Sequence, residues 1–305
     1  MQSVFPILLI INFLTLIASC QPTQKDTVKV FILAGQSNMV GLGNNSALPS
    51  AWNWKEDFKK VWIYQGNPVV DGRANGGVGK WAVMQPGHGA GFASNGQQNY
   101  LSSRFGPELS FAQRLTELYP NEKIALIKYA QGGTSIDSMA AGQYGCWEPD
   151  YSVVNQYDNF LTTIKGALGS WDIDDDGKED ILVPAGIVWM QGESDAAFTE
   201  AIAGRYCSHL QRLMTLMRTH LQDDTLPIVI GKISDSYQDQ GRPVWKHGEL
   251  VQYAQEKYVM LDQHAEIVRN TASYNYLDPW HYDSMGYVDL GKAFAEAIYL
   301  LQKKR

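Results

Sequence analysis

Val28-Lys29-Val30-Phe31-Ile32-Leu33-Ala34-Gly35-Gln36-Ser37-Asn38-Met39 is the stretch on which the fold turns. Residues 28–34 are apolar apart from Lys29 and rich in β-formers, which suits a strand. Similar runs lie at 60–64, 124–129, 182–190 and 226–233. Three of the five lack clean alternation, as expected of strands covered on both faces. Helical spacing falls between or after them, at 107–118, 153–168, 196–221, 246–258 and 285–300. In the first of these, Leu109, Ala112, Leu115 and Leu118 recur on one face, and Pro107 suits a first helical turn. Strand-helix alternation predicts an α/β layered fold with a mainly parallel central sheet.

In such sheets ligands bind beyond the carboxyl ends of the strands, and Ser37 stands at one of those ends. Gly35 permits a sharp turn there, and Gly41 and Gly43 keep the next segment close to the backbone. A helix beginning after Ser37 points its free N–H groups at the same cleft, where they favour developing negative charge. An ordinary turn or N-cap serine fits the same residues.

A serine nucleophile needs a base. Of six histidines, His281 has the suggestive setting, Leu277-Asp278-Pro279-Trp280-His281, just before the last helix. An aspartate three residues earlier can fold back onto the ring and leave Nε2 for the serine. A capping turn built on Asp278 reads equally well. Oxyanion donors have two sources after strands, Gln131-Gly132-Gly133-Thr134-Ser135 and Gln191-Gly192-Glu193-Ser194-Asp195. The second is also a near miss to the Gly-x-Ser-x-Gly elbow, with Ser194 as a rival nucleophile. Ala196 in place of the last glycine, and carboxylates on both sides of the serine, count against it.

Taken in order, Gly35-Gln36-Ser37-Asn38-Met39, Gly132-Gly133-Thr134-Ser135-Ile136, Trp189-Met190-Gln191-Gly192-Glu193-Ser194-Asp195 and Asp278-Pro279-Trp280-His281 resemble the SGNH-hydrolase superfamily. More narrowly they resemble its sialic-acid-specific acetylesterases, including carbohydrate esterase family six. The resemblance implies a three-layer flavodoxin-like fold and removal of O-acetyl groups from carbohydrate, of acetyl xylan or sialic acid type. It implies Ser37 as nucleophile, His281 as base and Asp278 as its orienter. The implied oxyanion hole is Ser37, a glycine of the Gly132-Gly133 pair, and Gln191, which stands where the wider superfamily has asparagine. Gln36, Asn38 and Glu193 are implied as supporting residues, with Glu193 and Asp195 bracing the cleft by hydrogen bonds. No metal or organic cofactor is required for that chemistry.

The rest of the chain sets the frame. Its 305 residues are 45% hydrophobic and 19% charged, enough for a sizeable core. A net charge of −7 argues against nucleic acid as partner. Residues 4–18 are almost wholly apolar, too short for a membrane-spanning helix, and read as a secretory signal. Ile17-Ala18-Ser19-Cys20 resembles a bacterial lipobox, which implies a lipid anchor at Cys20 and a place in the cell envelope. The expected organisation is a signal over 1–19, a polar tether over 20–26 and one domain over 27–303. Cys146 and Cys207 form a disulfide or remain two separate thiols. Residues 66–103, rich in Gly, Asn, Gln and Ser, form a long loop that shapes the acceptor pocket. Asp172, Asp174, Asp176 and Asp180, with Gly177 between them, match the first half of a calcium loop; an acidic solvated turn fits as well. A glycan-capturing surface lipoprotein without catalysis is the reading from another class, since 9 Trp and 16 Tyr offer faces for sugars.

Overall fold

The computed structural model describes residues 25–69 and 75–304. The signal, Cys20 and most of the tether lie outside them; Asp26 belongs to the first strand rather than to the tether. That strand, β1 (Asp26–Gly35), buries Val28, Val30, Phe31, Ile32, Leu33 and Ala34 almost completely, so neither face meets water. It takes the centre of a seven-stranded sheet with β2 (Val61–Gln65), β3 (Trp81–Val83), β4 (Lys123–Ala130), β5 (Asp180–Met190), β6 (Ile228–Gly231) and β7 (Ala265–Val268). The order is β7-β6-β5-β1-β4-β2-β3, and every pairing is parallel except that of β2 with β3. Without β2 and β3, the order reduces to the flavodoxin-like 2-1-3-4-5. Those two strands extend one edge.

Helices cover both faces. Phe31 meets Phe111 edge to face at 5.7 Å, which seats α1 (Glu108–Leu118) on one side, packed against α5 (Ser284–Lys303). Trp189 points the other way and donates its indole N–H to Tyr206 Oη at 3.4 Å. That side carries α3 (Glu200–His220) against α4 (Gly248–Leu261). Trp147 joins the same cluster, meeting Trp189 at 5.0 Å and Phe160 of α2 (Gln156–Leu168) at 6.1 Å. These are the three layers expected.

Three details differ from expectation. The helix expected over 196–221 is broken: a short helix, Glu193–Ala197, ends at Phe198, and α3 restarts after Thr199. Thr199 is extended and its hydroxyl accepts the Ile202 N–H at 3.3 Å, an N-cap inside the apolar pattern. Strand β7 was not foreseen, because four residues carry too little periodicity. Cys146 and Cys207, which sequence left open between a disulfide and two thiols, are both buried and free. The loop over 66–103 holds β3 and a small ribbon pairing Ala93–Ser94 with Asn99–Tyr100.

A buried ion pair anchors that loop beneath the sheet's end. Lys128 of β4 and Glu108 of α1 are both fully buried, 2.7 Å apart. The Lys128 ammonium also donates to Val40 O at 2.9 Å and His88 O at 2.8 Å, so all three of its hydrogens are used. Burial lowers the lysine's pKa, and Glu108 opposes that shift. His88 stacks on Phe92, and its burial, with Lys128 nearby, lowers its pKa to about 3.

Candidate active site

The carboxyl ends of β1, β4 and β5 lie side by side, with Gly35 opposite Ala130 and Met190. Gly35 has φ +147, and a Cβ there would stand 2.0 Å from Met190 O, so only glycine lets the chain turn so sharply. The turn that follows, Ser37–Val40, is a single helical turn. Ser37 lines a cleft of about 540 Å³ together with Gly132, Gly133, Ser194, Trp280 and His281. Pro68, Ala90 and Gly91 bring the 66–103 loop to its wall.

Asn38 fastens the segment bearing His281 to the Ser37 turn. Fully buried, it donates from Nδ2 to Trp280 O at 3.2 Å, and its Oδ1 accepts the Tyr282 N–H at 3.4 Å. The residues on both sides of His281 are thus tied to the residue after Ser37. Nδ2 also donates to Glu193 Oε1 at 2.7 Å, and Tyr287 Oη donates to Oδ1 at 2.9 Å. Burial raises the Glu193 carboxyl above its ordinary range. Asp278 accepts His281 Nδ1–H at 2.8 Å and the backbone N–H of Trp280 and His281 at 2.8 and 2.9 Å. Burial works against the charge on Asp278, yet these bonds hold its carboxyl below the usual range. Both sequence readings of this turn are present at once: Asp278 caps the backbone and orients the ring.

The two glutamines near the cleft are placed differently from expectation. Gln191 is fully buried and takes no part in the cleft wall. Its Nε2 is committed to Asp195 Oδ2 at 2.7 Å, Thr134 O at 3.1 Å and Gln36 Oε1 at 3.2 Å. The glutamine that faces the cleft is Gln36. Its Oε1 accepts from Gln191 Nε2 and from the backbone N–H of Ser194 at 3.3 Å and Gly192 at 3.4 Å. All these bonds fall on Oε1, and the Nε2 hydrogens have no partner among the described residues. The backbone N–H groups of Ser37 and Gly132 have no hydrogen-bond partner among the described residues. A Cβ on Gly132 would stand 3.4 Å from the Ser37 Cβ, so the two residues are neighbours in the cleft. Ser37, Gly132 and Gln36 thus line the same cleft, with the backbone N–H groups of the first two unpaired among the described residues.

Asp195 locks the glycine loop in place. Its carboxylate accepts from Ile136 N at 3.0 Å, Asp137 N at 2.9 Å and Gln191 Nε2. Burial nonetheless lifts its pKa from the usual 3.8 to about 6. Between those values the folded chain holds a proton that the unfolded chain has released, so the contribution is present at low pH and lost as pH rises through about 6. Relative to Asp195→Asn, the wild type is expected to gain stability as pH falls from 7 to 4. Urea unfolding across that range checks it; parallel pH profiles of the two proteins would contradict it.

Residues 27–300 match the family described as carbohydrate esterase, sialic acid-specific acetylesterase. The chain belongs to this family. It is accordingly a carboxylic ester hydrolase, of the carbohydrate acetylesterase kind. The acetylesterase resembles a solved protein from Arabidopsis thaliana with 21% identity, over 89% of this chain and 97% of that one, at TM-score 0.58. A carbohydrate acetylesterase from Xanthomonas citri aligns at 15% identity over 90% of this chain and 57% of its own, with TM-score 0.59. NanS aligns at 16% identity over 92% and 99% of the two chains, with TM-score 0.57. At such identities the likeness shows a shared fold. No curated protein matches the acetylesterase in sequence.

The rival serine of the acetylesterase, Ser194, also lines the cleft. Its own N–H is committed to Gln36, however, whereas a nucleophile of this type turns its N–H toward the oxyanion. The cleft walls that sequence reasoning missed are Phe198, Trp245 and Tyr144. Thr199, a good N-cap, was the signal that would have put Phe198 at a helix break.

Away from the cleft, Asp172, Asp174 and Asp176 bring carboxylate oxygens within 4.8 Å of one another. Asp180, expected as a fourth ligand, turns inward instead and accepts the Ile173 N–H at 2.9 Å. The loop's own donors already reach the others: Gly177 N–H to Asp172 at 2.9 Å, and Lys178 N–H to Asp176 at 2.8 Å. Lys123 supplies positive charge, 2.9 Å from Asp174 and 2.7 Å from Asp26.

Proposed function

We propose that the chain removes O-acetyl groups from carbohydrate through a Ser37-His281-Asp278 triad and an acetyl-enzyme intermediate. Ser37 Oγ attacks the acetyl carbonyl as His281 Nε2 takes its proton. The tetrahedral oxyanion is met by the N–H groups of Ser37 and Gly132 and by Gln36 Nε2. The sugar hydroxyl leaves with the proton from His281. Water, activated by the same ring, then releases acetate and restores Ser37. The observation that carries this reading is Asn38, whose side chain holds both neighbours of His281 against the turn that presents Ser37. The apolar run ending at Cys20 supports an exported enzyme, lipid-anchored in a bacterial envelope.

The test is acetate release from acetylated sugars beside hydrolysis of p-nitrophenyl acetate. Both esters should be cleaved. In Gln36→Ala, kcat should fall about 10²- to 10³-fold, as for loss of one oxyanion donor elsewhere. KM should move little, because the bond strengthens only as charge develops. A wild type inert toward every ester would favour the glycan-capturing reading, and unchanged kcat in Gln36→Ala would remove that side chain from the oxyanion hole.

A further inference from the structure

Trp245 stands between the cleft and a second hollow of about 370 Å³, and lines both. Asp235, Tyr237, Lys246, Glu249 and Gln252 form much of the second hollow. Acetyl transfer uses none of them.

The loop that builds this hollow is held firmly. The Asp235 carboxylate accepts the backbone N–H of Tyr237 at 2.7 Å, Trp245 at 2.8 Å and Val244 at 3.0 Å, closing the loop on itself. Ser236 Oγ donates to Pro279 O at 2.9 Å, which fixes the loop beside the segment bearing His281. Tyr237 has φ +54, a conformation that strains any residue carrying a Cβ. The residue is nevertheless 55% exposed. Burial of the tyrosine therefore does not explain the strain. Strained backbone that holds a side chain in place at the border of a cleft is a pointer to binding.

The chemistry suits sugars. An aromatic ring packs against the C–H face of a pyranose, while exposed Lys246 and Glu249 offer a donor and an acceptor to ring hydroxyls.

We propose that this hollow is a subsite for the sugar units next to the acetylated one, so that the natural substrate is an acetylated oligo- or polysaccharide rather than a free acetyl sugar. The proposal rests on the esterase reading of the cleft. It is tested with acetylated xylo-, manno- and galacturono-oligosaccharides, each against its acetylated monomer, with p-nitrophenyl acetate alongside. In at least one series, kcat/KM for the chain should exceed that of the monomer roughly ten-fold, the gain from one stacked ring. Tyr237→Gly removes the ring and relieves the φ strain, so the loop keeps its path. In that variant the chain-to-monomer ratio should fall toward one. An enzyme that cleaves p-nitrophenyl acetate but shows no chain preference in any series overturns the subsite alone. A chain preference that survives Tyr237→Gly does the same. An enzyme inert toward all these esters overturns the esterase reading and the subsite with it.

Discussion

Ser37→Ala is expected to lower kcat for acetyl ester hydrolysis by roughly 10⁴- to 10⁶-fold, the range seen when a triad serine is removed. The proposed oxyanion donors remain in the variant, because they belong to the backbone of residues 37 and 132 and to Gln36. On the proposed mechanism, what is lost is the covalent step. Circular dichroism should be unchanged, since the Ser37 hydroxyl makes no hydrogen bond among the described residues that the fold depends on. Ser194→Ala is the control. The site uses the N–H of Ser194 to hold Gln36, and alanine keeps it, so most of the activity should survive. A reversal of the two phenotypes would mean that the nucleophile is Ser194.

The second large effect concerns stability. Lys128→Met is expected to destabilise the fold by about 3 to 5 kcal/mol, because it leaves the fully buried Glu108 carboxylate without its counter-charge. Two backbone carbonyls, Val40 O and His88 O, lose their donor in the same variant. Pairing it with Glu108→Gln removes the stranded charge and should recover a large part of the loss. Urea unfolding of the two single variants and the double variant gives the coupling. Purely additive losses would show that the two charges act independently. The pair also has a functional side: Val40 closes the Ser37 turn, and His88 belongs to the loop that walls the cleft, so a loosened Lys128 should raise KM before it lowers kcat.

Much of this molecule was legible in its sequence because its signals are local. Apolar runs of strand length, each followed by a glycine-rich turn, located β1, β4 and β5 and the carboxyl ends that carry Ser37, Gly132 and Gln191. Asp278 and His281 sit three residues apart, so their contact needs only one turn of chain. Other features depend on packing between distant segments. Which of two glutamines faces the cleft is decided by burial: Gln191 follows β5 into the interior and orients Gln36 from behind. Lys128 reads in sequence as a charge intruding on an apolar strand, and its partner Glu108, twenty residues earlier, gives no sign of the pairing. Trp245 and Tyr237 come from a loop with no periodicity, and only the Asp235 bonds reveal where it folds. Strand β3 hides in a glycine-rich stretch because three residues are too few to show a pattern.

The central claim is that Ser37 is activated by His281 and becomes acylated. Treating the folded protein with a fluorophosphonate and mapping the modified peptide by mass spectrometry tests it most directly. The reagent should label one serine, Ser37, and labelling should be lost in His281→Ala while the fold is retained. Label on Ser194, or equal labelling of the wild type and His281→Ala, would contradict the account.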